Sequence, residues 1–163
     1  MQDENRYAPP QAQVDDIGAS AVRPALWNPG AAASWSLLLT PIFGALLHMG
    51  NWRALGEPEK AETSRRWALA NVAYIALVVL TGLVLPDSRG IDALTRIGGV
   101  ALLIGWYYAI GKSQQAFVLA RFGKDYPRRG WLRPIGLAVL AMVAFMIAAG
   151  VVGAVAGALS SGG

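Results

Sequence analysis

The sequence predicts an all-α, polytopic membrane protein. The first sign is composition: 55% of the 163 residues are hydrophobic and 15% charged, against roughly 25% charged in an ordinary soluble domain. The second is blocking: from residue 31 onward, long uncharged runs alternate with short charged connectors. The third is the placement of Lys and Arg, which gather in two of those connectors, the pattern that orients membrane helices. The length suits one domain. It divides into a mobile polar N-terminal tail (1–30), a helical membrane domain (31–159) and a short C-terminal tail (160–163). Three transmembrane helices are expected, preceded by a Pro-containing segment that is spanning or re-entrant.

The tail carries Asp3, Glu4, Asp15 and Asp16 with many Pro, Gln and Ala residues and no apolar core of 7–15 residues, so it does not read as a signal peptide. Gln2 stands where myristoylation needs glycine, and no CaaX box closes the chain. The first apolar segment, 31–50, is long enough to cross a bilayer, and Trp35 and Trp52 are placed as interface anchors. Pro41 sits at its middle, and Ser34, Ser36, Thr40 and His48 dilute it. Two readings stand: a Pro-kinked spanning helix, or two half-helices forming a re-entrant hairpin whose freed backbone groups need partners.

The second segment, 67–85, is 19 residues without a charge, close to the roughly 20 a spanning helix needs. Gly56-Glu57-Pro58-Glu59 introduces it, with Pro in the first turn and acids near the positive dipole end. Glu62 is placed to pair with Arg65 or Arg66, and Pro86 is expected to stop the run. The third segment, 97–110, is short. Residues 91–94 extend it, Arg96 snorkels from its edge, and the helix is expected to run on through 111–123. Gly98, Gly99, Ala101 and Gly105 make one side small, while Trp106, Tyr107 and Tyr108 form an aromatic band. The fourth, 134–159, follows Trp131 and Arg133, carries no charge, and spaces Ala149, Gly153 and Gly157 four apart. That spacing lets helix backbones approach closely, although Gly and Ala are also simply common in membrane helices.

The tail (1–30) holds two Lys/Arg, the first connector (51–66) four, the second (86–96) two and the third (111–133) six. Whether the first segment spans or turns back, the first and third connectors are expected in the cytoplasm and the C-terminus in the periplasm. Only the side of the N-terminus depends on that choice.

Chemistry is sparse. Cysteine is absent and His48 is the only histidine, so no metal set can be assembled from those residues and no cofactor is expected. His48, Asn51 and Trp52 share one end of the first segment and read as interfacial hydrogen bonding. Asn71, the deepest polar side chain of the second run, is expected to bond across to another helix. Glu57, Glu59 and Glu62 are helix-start electrostatics rather than an acid/base pair. No GxSxG, HExxH or Walker pattern occurs, and the chain is expected not to be an enzyme. In the third connector, Lys112, Arg121, Lys124, Arg128, Arg129 and Arg133 surround Phe122, Tyr126 and Trp131. The cluster reads as an ordinary basic cytoplasmic loop with contact to anionic headgroups, and it matches no nucleic-acid fold.

Two strings, LWNPGAAASWSLLLTPIFGALLHMGNWRALGEPEKA and FGKDYPRRGWLRP, resemble small inner-membrane proteins of Gram-negative bacteria, over most of the chain from Leu26 to Pro134. The resemblance brings no active residues with it. It implies a place beside secreted antibacterial effectors, where a membrane immunity protein against a type VI secretion toxin is expected. The function expected is therefore a non-catalytic inner-membrane protein that binds a membrane partner, possible homo-oligomers included. Asn71, Gly98, Gly105, Ala149, Gly153 and Gly157 are its packing or partner-binding residues. A subunit of a small channel or transporter is the rival from another class.

Overall fold

The structure, a computed structural model, describes residues 23–85 and 88–161. The expectations for the first 22 residues, for Pro86 and for the last two glycines lie outside the described residues. The described chain is helical and contains no strand, only an isolated bridge between Leu26 and Arg128. The helices are α1 (Pro29–Leu38), α2 (Pro41–Ala54), α3 (Pro58–Val84), α4 (Arg89–Trp106), α5 (Lys112–Phe122) and α6 (Leu132–Ser161). A π-helical turn, Tyr107–Gly111, joins α4 to α5, so 89–122 forms one 34-residue rod. Three helical stretches, Pro58–Val84, Arg89–Phe122 and Leu132–Leu159, are long and apolar enough to cross a membrane.

Proline in the first turn opens α1, α2 and α3. It has no N–H to satisfy there, and its φ is already helical. Asn28 caps α1, its Oδ1 accepting from the amides of Gly30 (3.0 Å) and Ala31 (3.3 Å). Thr40 caps α2 through the amide of Phe43, at 3.4 Å. The first apolar segment is therefore two helices of 10 and 14 residues, about 15 and 21 Å long. Neither alone crosses a hydrocarbon core of about 30 Å. They fold on each other as a hairpin, with Leu37 and Leu38 exposed at the tip. Leu55–Glu57 then turns α2 back along α3, its strongest neighbour, with Gly56 at φ +76° where a side chain would be strained.

The interior is rich in small and polar residues packed around a few large ones. Ala32, Ala33, Ala45, Ala61, Ala68, Ser36 and Ser64 are buried, while Leu69, Leu77, Leu80, Leu94, Ile97, Leu140 and Met146 face outward. A water-soluble protein does not leave so many large apolar side chains outside. In lipid, tails are as apolar as leucine and helices associate by close approach of small residues. Trp106 fills the centre, packed with Ala33, Ala45, Ala68 and Ile110. A Cβ on Gly44 would collide with Ser36 Oγ and lie 2.5–2.6 Å from the Trp106 ring. Only glycine lets the hairpin close over that indole.

α6 is attached differently. Trp131, Ile135 and Ala138 pack on Ala32, Phe43 and Leu47 of the hairpin. From 139 to 159 every residue is exposed.

Candidate functional site

Among the described residues, a concentrated set of buried polar side chains lies where the hairpin meets α5. Asn51 projects from α2 against the segment that precedes α1. Its Oδ1 accepts the Trp27 amide at 2.9 Å, and its Nδ2 donates to the Trp27 carbonyl at 2.8 Å and to Gln114 Oε1 at 3.1 Å. Gln114 Nε2 in turn donates to the His48 carbonyl at 2.9 Å. One carboxamide pair thus ties the pre-α1 segment, α2 and α5 together, with both partners satisfied, the condition under which a buried polar pair stabilises. On the other side of that segment Leu26 bonds to the third connector. Its amide donates to Pro127 O at 3.0 Å, and its carbonyl accepts from Arg129 at 2.9 Å. Residues 23–30, read from sequence as the end of the tail, are built into the fold by these backbone bonds.

His48 stands one turn from Asn51, enclosed, with its ring edge-on to Trp106 at 5.5 Å. Its Nε2 lies 3.3 Å from the Pro29 carbonyl. A carbonyl only accepts, so Nε2 carries the proton and Nδ1 the lone pair. Burial pushes the imidazole down from 6.5 to about 4, the Pro29 hydrogen bond opposing only in part. Sequence placed this histidine at headgroup level, but the hairpin wraps it instead. Trp52, read as an interface anchor, is likewise enclosed, edge-on to Phe117 at 5.1 Å. Trp35 and Trp131 keep one face open.

Cations surround this end, several above aromatic rings. Lys60 lies 4.5 Å from the Phe117 centroid and pairs with Glu57 at 3.2 Å. Arg129 is 4.6 Å above Trp27, Arg128 5.7 Å from Tyr126, Arg121 5.6 Å from Phe122 and Lys112 5.7 Å from Tyr108. Lys124 and Arg133 are exposed at the same end. Aromatic rings with cations over them are the furniture of a membrane–water interface.

The residues expected to mediate packing separate into two groups. Gly98 and Gly105 sit under α3: a Cβ on Gly98 would lie 2.9 Å from the Tyr74 hydroxyl, and one on Gly105 3.3 Å from Trp67. Asn71 is buried but turns back on its own helix, donating to the Trp67 carbonyl at 2.8 Å rather than across to a neighbour. Ala149 and Gly153 are exposed, and among the described residues a Cβ on Gly153 or Gly157 would find no heavy atom within 4 Å. Sequence reasoning passed over Gln114 and Gly44. Gln114 was visible only as a carboxamide inside KSQQAF, and Gly44 as one glycine among 19.

Among the described residues no three His, Asp or Glu side chains gather as a metal site. His48 has the Pro29 carbonyl and the Trp106 indole beside it, and the neighbouring Asn51–Gln114 pair holds the pre-α1 segment, α2 and α5 together. No family model, curated protein or solved structure matches this chain.

Proposed function

We propose that the protein is a non-catalytic bacterial inner-membrane protein that works by binding another membrane protein. In its most concrete form it is an immunity protein that holds a membrane-acting toxin of a type VI secretion system in an inactive state. The observation that carries this reading is α6. It is anchored at its first turns and then presents 21 consecutive exposed residues, 139–159, of which none is charged. Small residues of the hairpin, α3 and the α4–α5 rod such as Ala33, Ala45, Ala68, Gly98 and Gly105 are engaged with neighbouring helices, whereas Ala149 and Gly153 are exposed. A toxin acting within the bilayer is reached by a helix of this kind and not by a soluble antidote. Such an inhibitor stabilises the inactive toxin only by as much as it prefers that state, and it needs no chemistry.

In this reading the cation-rich end is cytoplasmic and the end of α6 periplasmic, as the positive-inside rule requires. Lys112, Arg121, Lys124, Arg128, Arg129 and Arg133 rest on anionic headgroups there, at about 1 kcal/mol per residue. A competition between kin strains tests the proposal. Deleting the gene should sensitise cells to toxin-bearing siblings, and expression in trans should restore survival. Equal survival with an altered ion or solute flux would replace this reading with a transport subunit.

A further inference from the structure

α3 and α4 run antiparallel in a register fixed at three points. The Tyr74 hydroxyl donates to the Thr95 carbonyl, Gly98 faces Tyr74, and Gly105 faces Trp67. Carried along both helices, this register sets Arg96 opposite residue 76, about nine residues, or some 13 Å of helix, from either end of the uncharged run 67–85. Sequence put Arg96 at the edge of its span. The structure puts it near the middle, on an exposed face. Snorkelling toward the start of α4 shortens the path to the headgroups but begins from mid-depth. Asp92, one turn earlier, does not reach it. The ion pairs among the described residues are those of Lys60, Arg65 and Arg66.

Arg96 and Thr95 line an open groove of about 380 Å³ with Tyr74, Ile75, Val78 and Val79 of α3 and Phe145 of α6. A single cation above an apolar channel has the chemistry of a phosphate bonded to a slim hydrocarbon chain. The charge separates this occupant from a partner helix, since an apolar helix would leave Arg96 unpaired and a phospholipid does not. An unpaired charge at this depth calls for a counter-ion, and arginine's fork matches phosphate oxygens two at a time. We infer that this groove binds one membrane phospholipid, its phosphodiester on the Arg96 guanidinium and one acyl chain between α3 and α6. The site lies within the span, away from the basic connectors, and does not depend on the function proposed above.

The test uses the full chain in mild detergent, stripped of lipid and then offered phosphatidylglycerol, phosphatidylethanolamine or phosphate-free diacylglycerol of equal chain length, with adducts counted by native mass spectrometry. The wild type should hold one phospholipid more than Arg96→Gln, whose affinity at this site should fall about tenfold, as for a lost charge-assisted contact. Arg96→Lys should retain part of the binding. Val78→Trp, which fills the groove and leaves the charge, should lose the same adduct, and diacylglycerol should not be retained. Removing a mid-membrane charge favours insertion, so unchanged helicity of Arg96→Gln is expected and is checked by circular dichroism. Equal phospholipid retention by wild type and Arg96→Gln would overturn the assignment. So would diacylglycerol retained as well as phospholipid, or a wild type that takes up no phospholipid at all.

Discussion

At the scale of single residues, the fold rests on a few polar groups whose partners are all backbone or carboxamide. His48 makes this measurable. Its folded imidazole protonates only near 4, while the unfolded one does so at about 6.5. The unfolded chain therefore binds the extra proton between those values, and stability is complete above 6.5 and lost as the pH falls toward 4. The shift corresponds to a loss on the order of 3 kcal/mol. Thermal unfolding in detergent should show the wild type weakening from pH 7 to pH 4.5, with the slope much reduced in His48→Gln. The same slope in both proteins would mean that His48 is not enclosed as described. Asn51 and Gln114 share the burden on the same side of the hairpin, and neither titrates.

At the scale of elements, the three spanning helices were legible because an uncharged run of about 20 residues has few other uses. The hairpin was only half legible. Pro41 reads as a kink when it is taken as a residue within one 20-residue helix. Taken together with Thr40 it is an N-cap followed by N1, the same pattern as Asn28-Pro29, and it starts a second helix. Asn71 and His48 misled for a related reason: a polar residue in an apolar run announces a hydrogen bond but does not say with what. Gly44 was invisible, since nothing local distinguishes a glycine that admits a tryptophan from one that only accompanies alanines. Its role is now testable. Gly44→Ala should destabilise the protein by about 1–3 kcal/mol or more through overpacking, with the Trp106 fluorescence shifting as the hairpin opens. Gly153→Ala should be silent in the same measurement. A stable Gly44→Ala variant with unchanged fluorescence would contradict the packing of Ser36 and Trp106 over that position.

At the scale of the whole molecule, one end is cemented and the other is open. The hairpin, the start of α6 and the α2–α3 and α5 connectors form a single unit at the cation-rich end, and Leu26 fixes the pre-α1 segment to it. Because the chain has no cysteine, the arrangement can be mapped with single replacements. Ala25→Cys and Lys124→Cys should react with an impermeant maleimide from one side of the membrane and Leu159→Cys from the other. Labelling of Ala25→Cys together with Leu159→Cys would mean that the first segment crosses. In the proposed function this architecture holds α6 out for a partner. Gly153 tests it most directly, because its position meets open space and a larger side chain there leaves the chain's own packing intact. In the kin competition, Gly153→Leu should be produced and inserted like the wild type yet lose most of its protection, while Arg128→Gln/Arg129→Gln retains it. Full protection by Gly153→Leu, with loss confined to the basic connector, would contradict a partner-binding role for α6.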